Sequence, residues 1–181
     1  MKKISSVLLC LAGISILTAC SNNTNSKNNS SKKSVVKVKK QQKYYFKNNV
    51  AEIHDLKIEI TKVEVKNADQ TNSYSDKPLI IFHYKVTNKT NKDIDPISAW
   101  QAVFTAYQDN DANSVNKLEI GSTIDEQYLD TQSEKIKKNG TVKNESTYEL
   151  TDMKTPVKLQ ATKGYDGSKI GSQTYKIEQQ Q

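Results

Sequence analysis

The stretch from Leu79 to Thr87 constrains the fold of this chain more than any other part of it. Ile80, Phe82, Tyr84 and Val86 fall on one parity, and Leu79, Ile81, His83, Lys85 and Thr87 on the other. A strand turns successive side chains to opposite faces, so this run directs one apolar face into a core. The same alternation recurs upstream, where Leu56, Ile58 and Ile60 oppose Lys57, Glu59 and Thr61. Val63 and Val65 continue it with the opposite parity. One extra residue near Thr61-Lys62 restores the phase, which predicts a β-bulge there.

Punctuation along the rest of the chain supports an all-β fold. Asn88-Lys89-Thr90-Asn91-Lys92 reads as a polar turn and Asp95-Pro96 as a second break. Ala99 to Tyr107 fits two patterns. Trp100, Ala102, Phe104 and Ala106 alternate as a strand, whereas Ile97, Trp100, Phe104 and Tyr107 line one face of a helix. The short run and its strand neighbours favour a strand. Asp125 to Leu129 suits a short helical turn. Asn139-Gly140 is a hairpin signal joining a strand near Ile136 to one from Thr141 to Leu150. Val157 to Thr162 and Gln173 to Ile177 read as the last strands, separated by a turn from Gly164 to Gly171. About seven or eight strands spaced by turns predict an antiparallel β-sandwich.

The first residues follow a different logic. Lys2 and Lys3 are followed by a mostly apolar run from Ile4 to Leu17, then by Leu17-Thr18-Ala19-Cys20. The run is short for a membrane span, which needs about 20 residues, and has the layout of a secretory signal. Leu17-Thr18-Ala19-Cys20 resembles the lipobox of bacterial lipoproteins. That resemblance implies cleavage after Ala19, a thioether-linked diacylglycerol on Cys20, and attachment to the outer face of the cell membrane. Three segments result: a signal at 1–19, a lipidated cysteine with a tether at 20–43, and a domain at 44–181. Cys10 leaves with the signal and Cys20 carries lipid, so the domain holds no thiol for a disulfide, a metal or a nucleophile.

Locating the charge removes one function class. The formal net charge is +7. Residues 21–43 carry seven lysines and no acid, whereas 44–181 carry 18 lysines against 20 acids. The basicity therefore belongs to the signal and the tether. The chain also lacks arginine, the residue best suited to bidentate phosphate contacts, so nucleic acid is not an expected partner. The polar tether is predicted to be disordered. Its 23 residues span about 25 Å on average and at most roughly 75 Å. Its lysines can also attract anionic lipid or wall polymer.

A family resemblance emerges from blocks in order. Asp76-Lys77-Pro78-Leu79-Ile80-Ile81-Phe82-His83-Tyr84 and Val86-Thr87-Asn88-Lys89 are followed by Ala99-Trp100, Phe104-Thr105-Ala106 and Gln108-Asp109-Asn110-Asp111. Tyr128-Leu129-Asp130-Thr131-Gln132, Asn139-Gly140-Thr141-Val142 and Thr155-Pro156-Val157 continue the series. Together they resemble family 5067 of the domains of unknown function, over about 46–177. The resemblance implies an immunoglobulin-like sandwich in a lipoprotein of a low-GC Gram-positive bacterium, and carries over no activity and no catalytic residue.

Candidate chemistry is sparse. Asp109, Asp111 and Asn113 have the 1, 3, 5 oxygen spacing of a calcium loop. An EF-hand also needs glycine at position 6 and glutamate at 12, where this chain has Ser114 and Ile120. Asp109 and Asp111 are thus weak metal candidates, an Asx-rich turn is the simpler expectation, and no cofactor is expected. His54 and His83 lack metal-type spacing, and His83 is expected on the outer sheet face. No G-x-S-x-G or phosphate-cradling glycine loop is present. Trp100 is expected to fill the core rather than to offer a sugar platform.

The expected function is a non-enzymatic, lipid-anchored, extracellular immunoglobulin-like module whose partner is an unknown protein or cell-wall polymer. An extracellular enzyme of envelope substrates and a structural spacer in a surface complex are the alternatives.

Overall fold

The computed structural model describes residues 43–70 and 75–177; Ala19, Cys20 and most of the tether lie outside the described residues. Nine strands are formed among them: β1 (Tyr45–Lys47), β2 (Val50–Glu52), β3 (Leu56–Lys66), β4 (Leu79–Asn88), β5 (Phe104–Gln108), β6 (Asn116–Lys117), β7 (Thr141–Glu149), β8 (Val157–Thr162) and β9 (Lys169–Tyr175). One α-helix, α1 (Pro96–Val103), precedes β5, and Glu126–Tyr128 forms a 3₁₀ turn. Two antiparallel sheets face each other as a sandwich, in the orders β1-β2-β3-β4-β7 and β6-β5-β8-β9. The expectation of an all-β antiparallel sandwich is met, with nine described strands rather than seven or eight.

The alternation that marks β4 has its expected consequence. Ile80, Phe82, Tyr84 and Val86 enter the main core with Leu56, Ile58 and Ile60 of β3. The register between β3 and β4 shifts between Ile60 and Lys62, so Thr61 is the bulged residue. Its hydroxyl donates to the carbonyl of His83, at 3.1 Å. Leu79 and Ile81, on the other face, are nonetheless fully buried, because residues 119–132 cross over them. The amide of Gly121 bonds the carbonyl of Thr147 at 3.1 Å. A Cβ at Gly121 would fall 2.7 Å from the Thr147 hydroxyl and 3.3 Å from Leu79, so glycine lets the segment turn from the edge of β7 onto its outer face, where the Thr147 hydroxyl donates to the Ser122 carbonyl.

Both sides of the sandwich are closed. On one side the Asn48-Asn49 turn, with φ of 51° and 62°, brings β1 against β9. The Asn49 amide donates to Gln173 Oε1 at 2.7 Å, and the Tyr175 hydroxyl donates to Asn49 Oδ1 at 2.9 Å. A Cβ at Gly171 would sit 2.4 Å from the Phe46 carbonyl oxygen, so the approach requires glycine. On the other side one segment passes from sheet to sheet. Leu118 bonds Ala106 at the edge of β5, and Glu119 then accepts from Glu149 at the edge of β7.

Three local expectations are corrected. Ala99 to Tyr107 is not one strand: 96–103 is helical and 104–108 is extended. Asp95 caps the helix by accepting from the Ser98 amide, Pro96 fits its first turn, and Ala99, Trp100 and Val103 share the buried face. No strand forms near Ile136. Asn139 adopts φ 63°, but its turn feeds β7 from an irregular segment whose amides bond Ile94 and Asn88. The last strand begins at Lys169 rather than Gln173, because 169–175 pairs along β8. The short strands β1, β2 and β6 carry too little pattern to predict.

Two outcomes follow. Phe82→Ala is expected to cost about 3–5 kcal/mol in urea denaturation, whereas Lys85→Ala changes stability by less than about 0.5 kcal/mol. Similar effects would show that the register is wrong. Gly171→Ala is expected to lower the melting temperature by separating β1 from β9, an effect that a neutral result would refute.

Candidate functional site

The polarity of the strands fixes which loops meet. The described chain enters at Lys43-Tyr44, where the Lys163 ammonium lies 5.3 Å from the centre of the Tyr44 ring. Lys163 follows β8, so the tether joins the sandwich at the Thr162 end of that strand. At the opposite end, Val157 pairs with Gln108 and with Tyr175. The loop after β5 and the loop before β8 therefore lie at the end remote from the tether.

One buried side chain organises this distal end. Gln108 shares the inward parity of Phe104 and Ala106 and is wholly buried. Its amide nitrogen donates to the carbonyls of Asp152 and Thr155, at 3.0 and 2.8 Å. Its oxygen accepts from the Thr151 amide and hydroxyl, at 2.8 and 2.9 Å. A second layer lies outside it. Asn110 Nδ2 donates to Thr151 Oγ1 and to Asp152 Oδ2, and Asn116 Nδ2 donates to Asn110 Oδ1 and to Thr151 Oγ1, both at 2.8 Å. The two loops are thereby fixed to each other, above core residues Leu118, Leu150 and Val157.

Beside this layer is a concavity of about 300 Å³ lined by Tyr107, Asp109, Val115, Asn116, Lys158 and Gln160. Val115 projects at its rim and is 81% exposed. The Tyr107 hydroxyl, the Asp109 carboxylate, the Lys158 ammonium and the Gln160 amide have no hydrogen bond or ion pair among the described residues. They contrast with Gln108, Asn110, Thr151 and Asp152, whose polar atoms are engaged internally. Sequence patterns pass over Tyr107 because it occupies the outward parity of a strand singled out for its inward face.

The metal candidates do not assemble a site. Asp111 Oδ1 accepts from the Asn113 amide at 2.7 Å, and Oδ2 accepts from the Ser114 hydroxyl at 2.8 Å. Its carboxylate closes its own turn, and those bonds hold its pKa below the usual range. Asp109 lies nearby in the concavity, whereas Asp125 is held beside Glu145 on the outer face of the other sheet. Among the described residues, no group of three His, Cys, Asp or Glu side chains could hold a metal ion.

The histidines are separated. His54 is exposed near the tether end, with Nδ1 2.6 Å from Asp55. His83 is on the outer sheet face, as expected, with Nε2 2.8 Å from Glu64 Oε1 and Nδ1 3.7 Å from Glu145 Oε2. The Glu145 side chain is 1% exposed, and its Oε1 accepts from the amides of Ile124 and Asp125. This carboxylate clamps the crossing segment to the sheet. Trp100 is fully buried and offers no outer platform.

Distal stability should depend on Gln108 and Asp152. Gln108→Leu leaves buried backbone partners unpaired and is expected to cost about 2–3 kcal/mol in urea denaturation. The amides of Thr155, then Lys154, hold the Asp152 carboxyl well below the usual aspartate range. A depressed pKa stabilises the fold above the unfolded value, near about 3.9 for aspartate, and this stabilisation fades as pH falls toward the folded value. Asp152→Asn should therefore melt lower than wild type at neutral pH, with the gap narrowing in acid. A gap independent of pH would contradict the assignment.

Comparison with known proteins bears on the fold and on the family. The family model described as "Domain of unknown function (DUF5067)" matches residues 29–163. A solved structure of a protein assigned as a lipoprotein from Staphylococcus aureus subsp. aureus NCTC 8325 aligns with a TM-score of 0.63 and 23% identity, covering 74% of this chain and 92% of that one. A second, also assigned as a lipoprotein, is from Bacillus subtilis subsp. subtilis str. 168; it aligns with a TM-score of 0.49 and 19% identity, over 74% of this chain and 39% of that one. No curated protein matches the chain at a significant level.

Proposed function

Because the chain belongs to the DUF5067 family, a fold without an assigned activity, we propose that it is a lipid-anchored protein of the outer membrane face whose sandwich is a non-enzymatic interaction module. The anchor rests on Lys2-Lys3, the apolar run and Leu17-Thr18-Ala19-Cys20. The observation that carries the interaction role is the opposition of the two ends. The tether joins at Tyr44 beside Lys163, while the concavity opens on the outward face of β5 and β8, running from Gln160 past Tyr107 and Lys158 to Asp109 and Val115 at the distal end. A module fixed at one end by its chain leaves the other end open to a partner.

The concavity suits a hydroxyl-rich ligand better than an apolar one. It presents one aromatic ring beside uncommitted donors and acceptors of both charges. Cell-wall polymer is the nearest abundant source of such groups for a protein held at the membrane. Loops fixed by Gln108 reduce the ordering cost of binding, the advantage of a preformed site.

Two measurements test this reading. Mass spectrometry of the membrane fraction is expected to yield an acylated peptide beginning at Cys20, and Cys20→Ala is expected to release the protein. An N-terminal peptide that retains Met1 would remove the anchor. A photo-crosslinking residue placed at Val115 is expected to give a discrete adduct with wall polymer on intact cells, lost with Tyr107→Ala. The same residue placed at the exposed Thr61 should give none. Equal labelling from both positions would exclude the distal concavity as the contact.

A further inference from the structure

The end where the tether joins has its own surface chemistry, distinct from the distal loops. By strand pairing it gathers Asp55, the loop after Asn88, the turn at Asn139-Gly140 and the β8–β9 turn. Its acids are largely neutralised within the fold. Asp55 accepts from Lys92 at 2.8 Å, Asp93 lies 2.5 Å from Lys135, and Asp95 caps α1. Lys43, Lys137, Lys138, Lys163 and Lys169 remain exposed, with no carboxylate partner among the described residues. Glu134 and Asp166, both exposed, stand against them. At the other end, the loop from 109 to 119 sets Asp109, Asp111 and Glu119 against Lys117.

An aromatic side chain stands among these lysines. Tyr165 is 70% exposed, at the tip of the β8–β9 turn between Lys163 and Lys169. Gly164, at φ 98°, lets the turn project, and no described residue covers the ring. A tyrosine flanked by lysines matches the boundary between headgroups and acyl chains, where its ring is buried and its hydroxyl stays wet.

We infer that this end of the sandwich docks on an anionic phospholipid surface, with Tyr165 entering the interface and Lys137, Lys138 and Lys163 supplying the attraction. The lipid on Cys20 would hold this end near the bilayer, so the biological setting rests on the anchoring reading; the chemistry of the surface does not. Screening confines the attraction to charges within about 8 Å of the headgroups, so the end that meets the membrane matters more than the total charge. Docking would turn the distal concavity away from the membrane. Attachment through the tether alone would leave the domain free to roll.

The test uses the processed chain from residue 20 with Cys20→Ser, so that no lipid contributes. Flotation with vesicles of phosphatidylcholine and phosphatidylglycerol is compared with phosphatidylcholine alone, at physiological salt. The tether's lysines bind anionic vesicles whatever the domain does, so the readout is the difference between variants of equal charge. Lys137→Glu with Lys138→Glu is expected to weaken binding by roughly twentyfold or more, on the scale of a factor of about five for each lysine near an anionic surface. Lys117→Glu with Lys154→Glu, at the distal end, should have at most a small effect, with every variant keeping its melting temperature. Tyr165→Trp should add a blue-shifted emission quenched by brominated acyl chains, to which the buried Trp100 contributes little.

Equal losses from the two pairs, or no loss from either, would overturn the proposal and leave the tether as the sole contact. Soluble polyphosphate that competes with the vesicles while Tyr165→Trp shows no quenching would instead assign the surface to anionic polymer. Failure of Cys20 lipidation in cells, with these vesicle results intact, would remove the anchor and leave the surface standing.

Discussion

The indole of Trp100 is the contact on which the two sheets depend. It lies 4.6 Å from the Tyr84 ring and 4.5 Å from Phe104, with Phe82 at 5.5 Å. Its Nε1 donates to the Tyr148 hydroxyl at 2.8 Å. Phe82 and Tyr84 belong to β4, Tyr148 to β7 and Phe104 to β5, so one side chain joins both sheets. Burial pushes the hydroxyls of Tyr84 and Tyr148 far up, so both remain neutral. Tyr84 in turn donates to the Pro96 carbonyl at 3.0 Å, which holds the first turn of α1. A helix in an otherwise β fold is explained by this geometry: it is the segment that delivers Trp100 to the space between the sheets.

Because that core fixes the sheets against each other, the ends of the sandwich can differ. Asn88 gathers the loops at the tether end, donating to the carbonyls of Lys92 and Ile136 at 2.8 Å. Gln108 does the corresponding work at the distal end, with the same means: one buried amide satisfying several backbone groups of a loop. Each loop is held from within, by these hydrogen bonds and by core residues such as Ile94 and Ile136 at one end and Leu118 and Leu150 at the other, which leaves its outer surface free for charge and aromatic groups. The tether end places lysines and Tyr165 there, and the distal end Tyr107, Asp109 and Val115.

The sequence reveals the sandwich where a strand is long and half-buried, and conceals it where two patterns coincide. Leu79 to Thr87 is plain because its alternation spans nine residues, and the bulge at Thr61 shows as a change of parity. The helix is hidden because Trp100 and Phe104 satisfy both periods. Asp95-Pro96, legible as a break, is in fact its N-terminal cap. The full burial of Leu79 and Ile81 cannot be read from alternation, since it requires residues 119–132 to cover them. The distal concavity is equally silent. Gln108 on the inward parity is a polar residue facing a core, which signals a backbone tether, but the free groups of Tyr107, Lys158 and Gln160 emerge only from their lack of partners among the described residues.

Cooperative joining of the two sheets through Trp100 is the central claim, and native-state hydrogen exchange tests it most directly. The slowest amides of β4, such as those of Phe82 and Tyr84, and of β8, such as those of Leu159 and Ala161, are predicted to exchange with one common free energy. Trp100→Phe, which removes the bond to Tyr148 and part of the ring contact, should lower both sets equally. A β5–β8–β9 sheet that opens at its own lower free energy, unaffected by that substitution, would contradict the account.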